Sequence, residues 1–387
     1  MPVKNRFAEL QDEITAWRRD FHENPELLFD THRTAGIVAE KLRAFGCDEV
    51  TEGIGRTGVV GVIRGKGTGS GKVIGLRADM DALPITENTG VDYASKTPGA
   101  MHACGHDGHT AMLLGAAKYL SETRNFDGTV VVIFQPAEEG GGGAKVMCDE
   151  DMMARWGIQE VYGMHNWPGQ PLGSFAIRPG PFFAATDIFD VTVTGRGGHG
   201  AKPHETIDPT VISAQIVLAL QSIASRNADP VSQIVVSVTS FVTSSQAYNV
   251  IPPRVQMRGT VRTLSPENQD LAEARINEIC TGVAAAMGAQ AEVSYTRNYP
   301  VMANHDEQTE FAAEVARAVA GDCAEAPLVM GGEDFAFMLE ERPGAYILVG
   351  NGDSAMVHSP EYNFNDEAIP AGCSWYAEIV ERRMPAA

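Results

Sequence analysis

The sequence predicts an α/β protein in which a large α/β/α sandwich domain carries an inserted, smaller α+β domain of ferredoxin-like order. A chain of 387 residues exceeds the size at which one hydrophobic core keeps growing, so two domains are expected. Apolar β-rich runs and amphipathic helices indicate a sheet that helices cover on both faces. Residues 180–295 instead follow the order β-α-β-β-α-β. We therefore expect the sandwich domain to comprise residues 1–179 and 296–387.

The amino-terminal part of the chain contains two predicted helices before its first strands. Apolar residues recur at helical spacing over residues 7–17, and a second helix is expected over residues 31–45, ended by Gly46. Strands are expected over residues 59–64 and 72–77 because these runs are rich in β-branched residues.

The glycine-rich segment 65–71 is predicted to be a hairpin loop that joins these two strands. A phosphate-binding loop would lie between a strand and a helix and would end in Gly-Lys-Ser/Thr, and this segment has neither feature. After it, a helix is expected over residues 110–121 and strands over residues 129–134 and 161–164. The strand 129–134 is wholly apolar, as in the middle of a covered sheet.

The rest of the chain continues the same two patterns. In the predicted insert, strands are expected over residues 187–195, 234–241, 255–263 and 291–295, and helices over residues 208–225 and 265–287. Asp208 and Ser265 each precede a proline, which is typical of a helix N-cap followed by its first turn. After the insert, helices are expected over residues 307–319, from residue 331 and over residues 367–382, with a strand over residues 345–349.

Composition and charge exclude several classes of protein. Hydrophobic residues make up 44% of the chain and charged residues 21%, as in a folded globular protein. The formal net charge of −20 would repel nucleic acids and anionic membranes, so neither is an expected partner. The amino-terminal segment does not resemble a signal peptide, and no apolar run reaches transmembrane length. Six scattered cysteines favour a reducing compartment, and we expect a cytoplasmic location.

The strongest functional signal is the segment 101–109, which holds one cysteine, one aspartate and three histidines. Two glycines in the segment allow the backbone to turn tightly, so neighbouring side chains can converge. Cys104 and His106 are two residues apart, and a thiolate and an imidazole at that spacing can bind one ion. An ordinary polar loop before a helix would explain one such side chain but not this density. A metal site is therefore predicted here.

Further polar side chains stand where the predicted strands end. Asp79 and Asp81 follow one strand, although both could simply cap a turn, and Glu138 and Glu139 follow the wholly apolar strand. Adjacent carboxylates at the end of a buried strand repel each other, and a cation would relieve that repulsion. His165 follows the next strand. Open α/β sheets collect functional groups at the carboxyl ends of their strands, so these side chains are expected to lie together.

The predicted ligand set consists of four of these side chains and one histidine from the polar loop 357–364, namely Cys104, His106, Glu139, His165 and His358. They are more than one tetrahedral ion takes, and a structural zinc site would be closed by four ligands, mostly cysteines in short paired spacings. Mixed nitrogen, oxygen and sulfur donors instead favour a catalytic dinuclear centre with a bridging water. Glu138 is then left beside that water as the general base. The sequence therefore predicts metal-assisted hydrolysis.

The insert contributes one further functional candidate. Residues 194–204 form a glycine-rich loop with two histidines. Lys202 and His204 are explained by solubility alone, whereas His199 is flanked by glycines that allow a ligand to approach closely. We therefore predict a functional role for His199.

Taken together, the motifs resemble the zinc aminoacylase/carboxypeptidase family of dinuclear metallohydrolases. The resemblance is closest to the amidohydrolase branch that contains hippurate hydrolases, bacterial N-acyl-amino-acid amidohydrolases and plant auxin-conjugate hydrolases. It covers nearly the whole chain, and its segments are residues 21–27, 77–84, 101–109, 135–143, 163–168, 195–204, 249–252, 331–335 and 357–364.

The resemblance implies a role for each domain and for most of these residues. By this resemblance the sandwich is the catalytic domain and the insert is a lid/dimerisation domain. The protein is then expected to be a homodimer or a higher oligomer. The five ligands and the base Glu138 are the same as those reached above. Asp79 is then not a ligand, and Asp81 orients a ligand imidazole. Two divalent ions are implied, zinc or manganese foremost, with cobalt or nickel as alternatives because the donors accept them too.

For the insert, the resemblance implies that His199 stabilises the tetrahedral oxyanion, often from the partner subunit. Asn249 and Arg262 stand where the family holds the substrate's α-carboxylate, although a surface strand position explains Arg262 nearly as well.

The implied activity is that of a hydrolase acting on carbon–nitrogen bonds other than peptide bonds in linear amides. It would cleave N-acetyl or N-benzoyl amino acids into a carboxylic acid and a free amino acid. A dipeptidase, an N-carbamoyl amino acid hydrolase and an N-acyl-diaminopimelate deacylase remain open, because the metal motifs do not separate them. A non-catalytic metal-binding scaffold is disfavoured because Glu138 and all five ligands are present.

Overall fold

The computed structural model describes residues 4–386 of the chain, which form ten α-helices and sixteen strands. The helices are α1 (Asn5–Glu23), α2 (His32–Ala44), α3 (His106–Thr123), α4 (Gly143–Asp149), α5 (Met152–Arg155), α6 (Pro209–Leu220), α7 (Pro266–Ala286), α8 (Asp306–Ala320), α9 (Ala336–Glu341) and α10 (Ile369–Arg383). The strands are β1 (Glu49–Ile54), β2 (Gly58–Arg64), β3 (Val73–Asp79), β4 (Thr129–Gln135), β5 (Glu160–Pro168), β6 (Phe175–Ile177), β7 (Gly180–Phe183), β8 (Ala185–Thr194), β9 (Gly198–His199), β10 (Ile234–Thr243), β11 (Val250–Ile251), β12 (Arg254–Thr263), β13 (Gln290–Tyr299), β14 (Met302–Asn304), β15 (Ala324–Glu325) and β16 (Gly344–Gly352).

Two compact units divide the chain. The first consists of the residues up to Gly180 together with Ala303–Pro327 and the residues from Asp334 onward, and the second consists of Pro181–Met302 and Leu328–Glu333. The second unit extends to Met302 because β13 continues four residues beyond Tyr295.

The first unit is built on an eight-stranded sheet in the order β1-β2-β4-β3-β5-β16-β6-β15. Its four central strands, β4, β3, β5 and β16, are parallel to one another and almost completely buried. Strands buried on both faces carry continuous apolar runs, which is why these segments are rich in valine and isoleucine. Parallel strands end at the same edge of a sheet, so the residues that follow them meet there.

Helix α3 lies at the centre of the first unit. Most of its residues are buried, and it packs against α1, α10 and β3. Residues 111–117 in its middle are all apolar or glycine, as expected for a helix that other elements enclose. The first residue of this helix is His106, so the packing of α3 fixes the backbone position from which the His106 imidazole extends.

The second unit contains a four-stranded antiparallel sheet in the order β10-β12-β8-β13. With α6 and α7, its chain order is β-α-β-β-α-β, which is the ferredoxin-like order. Alternate residues of β8 are buried under the two helices, in a core that contains Phe189 and Ile216. The side chains of Asp208 and Ser265 accept hydrogen bonds from the first turns of α6 and α7, so both predicted N-caps are confirmed.

Three sequence-based expectations are corrected. The segment 65–71 is not a hairpin loop, because β4 lies between β2 and β3 in the sheet and β2 instead forms a hairpin with β1, a strand that the sequence did not reveal. His165 lies within β5 rather than after it, because pairing with β16 continues to Pro168. Helix α9 begins at Ala336, later than residue 331.

A search of the described residues finds no helix that is both long enough and apolar enough to cross a membrane.

The glycine at the start of α3 offers a test of this packing. A Cβ atom on Gly108 would lie 2.3 Å from the ring of Phe364, which is buried and cannot move aside easily, whereas a Cβ on Gly36 in α2 would meet nothing within 4 Å. We expect Gly108→Ala to lower the free energy of unfolding by about 1–3 kcal/mol. The control Gly36→Ala should raise it by about 0.5–1 kcal/mol, because alanine favours a helix. Urea unfolding of both variants measures this, and equal midpoints would contradict the packing.

Candidate metal centre

The carboxyl ends of the four central strands bring the predicted ligands of the first unit together. Strand β4 leads to Glu138 and Glu139, β3 ends at Asp79, β5 contains His165, and the loop after β16 contains His358. Their ligand atoms fall into groups in which all atoms lie within 4.8 Å of one another. Three of these groups are Cys104–His106–His165, Cys104–Glu139–His358 and His106–Glu138–Glu139.

The turn before α3 aims Cys104 and His106 at the centre of this site. Gly105 has φ +88°, a left-handed conformation that glycine adopts without strain. The His106 Nδ1–H donates to the backbone carbonyl of Asp81 at 2.8 Å, which turns Nε2 towards the site. The Cys104 Sγ lies 3.3 Å from His165 Nε2, and the other ring nitrogen of His165 donates to the Asn166 carbonyl at 2.6 Å. Each imidazole therefore presents Nε2 to the site.

The two glutamates are held by their backbone. Ala137 has φ +55°, which is strained for a residue with a Cβ and turns the chain sharply after β4. The two carboxylate oxygens of Asp81 accept the N–H groups of Glu138 at 2.9 Å and of Glu139 at 3.1 Å. The backbone carbonyl of Asp81 also accepts from His106, so Asp81 contacts both a predicted ligand imidazole and the glutamate turn. That Asp81 orients the imidazole stays a prediction.

His358 reaches the site from a loop. Its φ of +68° is again a strained conformation, and its backbone N–H donates to the Ala103 carbonyl at 2.7 Å. The His358 Nε2 lies 3.3 Å from the Glu139 Oε1. Strained backbone that the surrounding structure holds in place is typical of functional sites.

These donors fit a bound cation. The His106 Nε2 and the Glu139 Oε1 are buried, make no hydrogen bond within residues 4–386, and lie 4.0 Å apart. The Glu139 Oε1 is approached at 3.3 Å by the Nε2 of His358, which is itself a predicted ligand. Buried polar atoms without a partner are costly, and a metal ion would satisfy both. Cys104 belongs to two of the groups, so its sulfur can serve two ions. Three imidazoles, a carboxylate and a thiolate are ligands that zinc and its neighbours in the periodic table accept.

The electrostatics of the site point the same way. Burial raises the pKa of the Cys104 thiol well above its usual value, and Glu139 and Glu138 raise it further. Burial by itself would lower the pKa of His106, but Asp79, Asp81 and Glu139 outweigh it and raise that pKa to about 10. Burial holds the pKa of His165 well below its usual value, so this ring is neutral. The centre therefore has an excess of negative charge that a divalent cation would balance.

Asp79 and His109 lie next to the site but are already engaged. The Asp79 carboxylate accepts from His109 Nδ1 at 2.7 Å and from the Arg77 guanidinium at 2.6 Å. Burial alone would raise the pKa of Asp79, but Arg77 and the two histidines hold it well below its usual value. The His109 Nε2 accepts from Asn166. Asp79, His106 and His109 also form a possible ligand group, but binding there would break these bonds.

Sequence reasoning missed His109, Asn166 and Arg77 as contributors to the site. A signal for each was present, because His109 belongs to the same histidine-rich segment, Asn166 follows His165, and Arg77 precedes Asp79 by two residues. The sequence did not reveal that buried hydrogen bonds join them.

The remaining predicted residues belong to the second unit. His199 is exposed on β9 and pairs with Val250 of β11, and Asn249 accepts from the Gly200 N–H at 2.7 Å, so His199 and Asn249 lie together. Arg262 lies on β12, separate from this pair, and donates to the Val261 carbonyl at 2.9 Å. It is half-buried, and no carboxylate of the described chain forms an ion pair with its guanidinium.

A buried ionic cluster lies behind the Cys104–His106 turn. His22 of α1 donates from Nδ1 to the Asp107 carboxylate at 2.8 Å, and its other nitrogen lies 3.2 Å from Glu87. The Arg18 guanidinium lies 3.5 Å from Asp107. Burial by itself would lower the pKa of His22, but Asp107 and Glu87 outweigh it and raise that pKa to about 9. Because Asp107 follows His106 directly, this cluster ties α1 to the ligand-bearing turn.

Comparison with known proteins places these features in context. The sequence profile of the family described as peptidase family M20/M25/M40 matches residues 75–382. A hippurate hydrolase of Campylobacter jejuni is 44% identical over 375 residues, which cover 96% of each chain. Thermostable carboxypeptidase 2 of Saccharolobus solfataricus is 40% identical over 385 residues, which cover 97% of this chain and 96% of that protein.

A solved structure is similar to most of this chain. A Bacillus subtilis protein described as a dinuclear metal binding peptidase from the M20 family superposes with a TM-score of 0.86 at 33% identity, covering 98% of this chain and 100% of the other. The predicted α/β fold class is thereby confirmed.

The ionic cluster behind the turn predicts a pH dependence of stability. A folded-state pKa of about 9 above an unfolded value of about 6.5 means that His22 stabilises the fold fully below pH 6.5 and loses this effect as the pH rises through 9. The groups that face it are Arg18, Glu87, Tyr93, His102 and Asp107. We expect His22→Gln to remove up to about 3 kcal/mol of the wild-type decline over this interval.

Urea unfolding from pH 6 to 9.5 measures this difference between the wild type and His22→Gln. His32→Gln is the control, because His32 is exposed at the start of α2, and its profile should match that of the wild type. Parallel profiles for His22→Gln and the wild type would show that His22 gains no proton affinity from Asp107 and Glu87.

Proposed function

The chain belongs to peptidase family M20/M25/M40, and from this we propose that it is a metal-dependent amidohydrolase that cleaves N-acyl amino acids into a carboxylic acid and a free amino acid. The observation that carries the proposal is the pair of buried atoms His106 Nε2 and Glu139 Oε1, which make no hydrogen bond within residues 4–386 and lie in one group with the carboxylate of Glu138. Such a centre suits hydrolysis, because a cation and a general base stand side by side.

The names of the relatives support this substrate class. A hippurate hydrolase and a carboxypeptidase share one chemistry, since each cleaves an amide whose nitrogen belongs to an amino acid with a free carboxylate. A site that recognises this carboxylate and tolerates different acyl groups would serve both. N-acetyl and N-benzoyl amino acids are therefore the substrates that we propose to test first.

Two divalent ions per chain complete the proposed site. Cys104, His106 and His165 would hold one ion, and Cys104, Glu139 and His358 would hold the other. When bound, the ions supply Lewis-acid activation of water and of the scissile carbonyl. Zinc or manganese suits these donors best, and cobalt or nickel is the alternative. Because Cys104 must stay a free thiol, we also propose a reducing compartment such as the cytoplasm, and all six cysteines are free.

Glu138 is the proposed general base. Its backbone N–H is fixed by Asp81, and its side chain is buried within reach of His106 and Glu139. In this position Glu138 takes a proton from the attacking water and later returns it to the leaving amine. Asp81 fixes the positions of Glu138 and Glu139 by accepting hydrogen bonds from both of their backbone N–H groups.

Residues of the second unit are proposed to bind the substrate. His199 presents an exposed imidazole that could donate to the developing oxyanion, in its own subunit or in that of its partner. Asn249 lies beside it, and the half-buried Arg262, without a carboxylate partner among the described residues, suits the α-carboxylate of the substrate.

The alternatives keep the same centre and change the substrate. A dipeptidase is favoured among them by the carboxypeptidase relative, and an N-carbamoyl amino acid hydrolase and an N-acyl-diaminopimelate deacylase use the same cleavage. A non-catalytic metal-binding protein is the least favoured, because Glu138 and all five ligand residues are present.

Hydrolysis of a substrate panel tests the proposal. The purified protein, loaded with Zn²⁺ or Mn²⁺, should release free amino acid from N-acetyl and N-benzoyl amino acids faster than from dipeptides or N-carbamoyl amino acids. Glu138→Gln should lower kcat by about 10²–10⁴-fold while both ions stay bound. The control Glu150→Gln changes an exposed glutamate after α4 and should leave kcat unchanged. A Glu138→Gln variant with wild-type turnover would rule out Glu138 as the base.

We further propose that two copies of the chain pair through the second unit. Strand β10 is an edge strand that pairs with β12 alone in its sheet, and it exposes Val235, Phe241 and Val242. Helix α6 exposes Leu218, with 73% of its surface accessible. Long edge strands with exposed apolar side chains are usually covered. A twofold partner would cover β10 and Leu218 by antiparallel pairing of the two β10 strands.

Analytical ultracentrifugation tests this assembly. Leu218→Glu should convert a dimer into a monomer, because it would bury two charges at the interface. The control Val231→Glu alters an equally exposed residue outside α6 and β10 and should leave the dimer intact. A wild-type monomer at micromolar concentration, or a dimer that survives Leu218→Glu, would contradict the proposed interface.

A further inference from the structure

A chain of buried hydrogen bonds runs beside the candidate metal centre without supplying any of its proposed ligands. The Asp79 carboxylate accepts from His109 Nδ1 at 2.7 Å. The His109 Nε2 accepts from the backbone and side-chain amides of Asn166, at 2.9 and 3.0 Å. The hydroxyl of Tyr362 donates to the Asn166 Oδ1 at 2.6 Å. All four side chains are buried.

This arrangement allows one protonation pattern. Because Asn166 offers two N–H donors to His109 Nε2, that nitrogen carries no proton, and the proton resides on Nδ1, facing Asp79. The other hydrogen of the Asn166 side-chain amide donates to the Cys104 carbonyl at 2.7 Å. Asn166 thus uses both amide hydrogens and its oxygen, which fixes the orientation of the amide.

This series of hydrogen bonds contacts two proposed ligands directly. The side-chain amide of Asn166 donates to the backbone carbonyl of Cys104. The backbone carbonyl of Asn166 accepts the Nδ1–H of His165 at 2.6 Å. The His109 ring packs edge-on against His165, with centroids 4.7 Å apart. A movement of His109 would therefore displace both Cys104 and His165.

The packing around Asn166 leaves no room for adjustment. A Cβ on Gly105 would lie 2.3 Å from the Asn166 side-chain nitrogen and 2.4 Å from the Tyr362 hydroxyl. The turn that carries Cys104 is thus pressed against this hydrogen-bonded chain. Contacts this close hold the turn in a single position.

We propose that His109 and Asn166 are positioning residues that set Cys104 and His165 for metal binding, with Asp79 and Tyr362 holding them from either side. The inference rests on the proposed function, since it assumes that the centre binds metal. His165 belongs only to the group with Cys104 and His106, so the effect is expected mainly on the ion bound there. Groups that orient ligands in this way typically contribute 10- to 100-fold to metal affinity.

Two substitutions of His109 separate positioning from direct ligation. A glutamine can donate to Asp79 and accept from Asn166, as the neutral imidazole does, whereas a leucine can do neither. We expect His109→Leu to weaken the binding of one of two ions by about 10–100-fold and His109→Gln to restore the wild-type affinity. Metal content is measured by elemental analysis, and affinity by competition with a chromophoric chelator. In the Co²⁺-loaded protein, the thiolate-to-cobalt absorption reports the position of Cys104.

Removal of a single hydroxyl provides a milder test that does not endanger folding. Tyr362→Phe deletes the bond to Asn166 and should weaken the same ion by about tenfold or less. Tyr162→Phe is the matched control, because Tyr162 is equally buried on the strand that carries Asn166 but donates to Glu160, away from the site. Circular dichroism of each variant checks the fold.

The outcomes separate the two proposals. If His109→Leu and Tyr362→Phe bind both ions with wild-type affinity and an unchanged cobalt absorption, the positioning role is wrong. If His109→Gln is as weak as His109→Leu, the imidazole itself is required and His109 is a ligand. A wild-type chain that binds two ions but hydrolyses no amide would contradict the proposed function alone, and a wild-type chain that binds no metal would overturn both.

Discussion

The buried guanidinium of Arg77 is the interaction on which the catalytic edge of the first unit depends. It extends from β3 and donates to Gln135 at the end of β4, to Asp79 at the end of β3, and to Tyr346 of β16. It also donates to Asp334. A buried cation must be paired and hydrogen-bonded to be tolerated, and here two of the partners, Asp79 and Gln135, are the last residues of the parallel strands β3 and β4. The same bonds that stabilise the guanidinium therefore fix the strand ends relative to one another.

Hydrogen bonding divides the acidic residues of the centre into structural and functional ones. Asp79 is neutralised by Arg77 and accepts from His109, and Asp81 accepts two backbone amides. The oxygens of both carboxylates thus accept hydrogen bonds from protein groups that shape the site. Glu139 differs, because one of its oxygens is buried without any hydrogen bond within the described part of the chain. The charge that remains is the charge that a cation would balance, and this is what makes the geometry that of a metal centre.

The turn that carries Cys104 and His106 is held from three directions. Asn166 of β5 donates to the Cys104 carbonyl on one side of it, and the His22–Asp107 pair anchors it to α1 on another. The backbone of His358 bonds to Ala103 from a third. A turn that is already ordered before a metal ion binds loses little conformational entropy on binding. The binding free energy therefore does not have to offset the cost of ordering the turn.

The order of strands and helices was largely readable from the sequence. Apolar runs of β-branched residues, helical spacing and N-cap residues such as Asp208 are local features, and they predicted most of the elements within a few residues. The density of ligand residues over 101–109 and the adjacent Glu138 and Glu139 also predicted a metal centre without any structure. These inferences hold because local propensity and ligand chemistry depend on residue type and spacing alone.

Tertiary structure decided what local pattern cannot encode. Only the sheet order could reveal that β4 lies between β2 and β3, because strand pairing is set by the global packing of the core. Only the hydrogen bonds could show that both ring nitrogens of His109 are engaged, by Asp79 and Asn166, while the Nε2 of His106 makes no hydrogen bond within the described residues, although both histidines stand in the same nine-residue segment. The partner of a buried polar group comes from a distant part of the chain, and the sequence lists the groups but not the pairs.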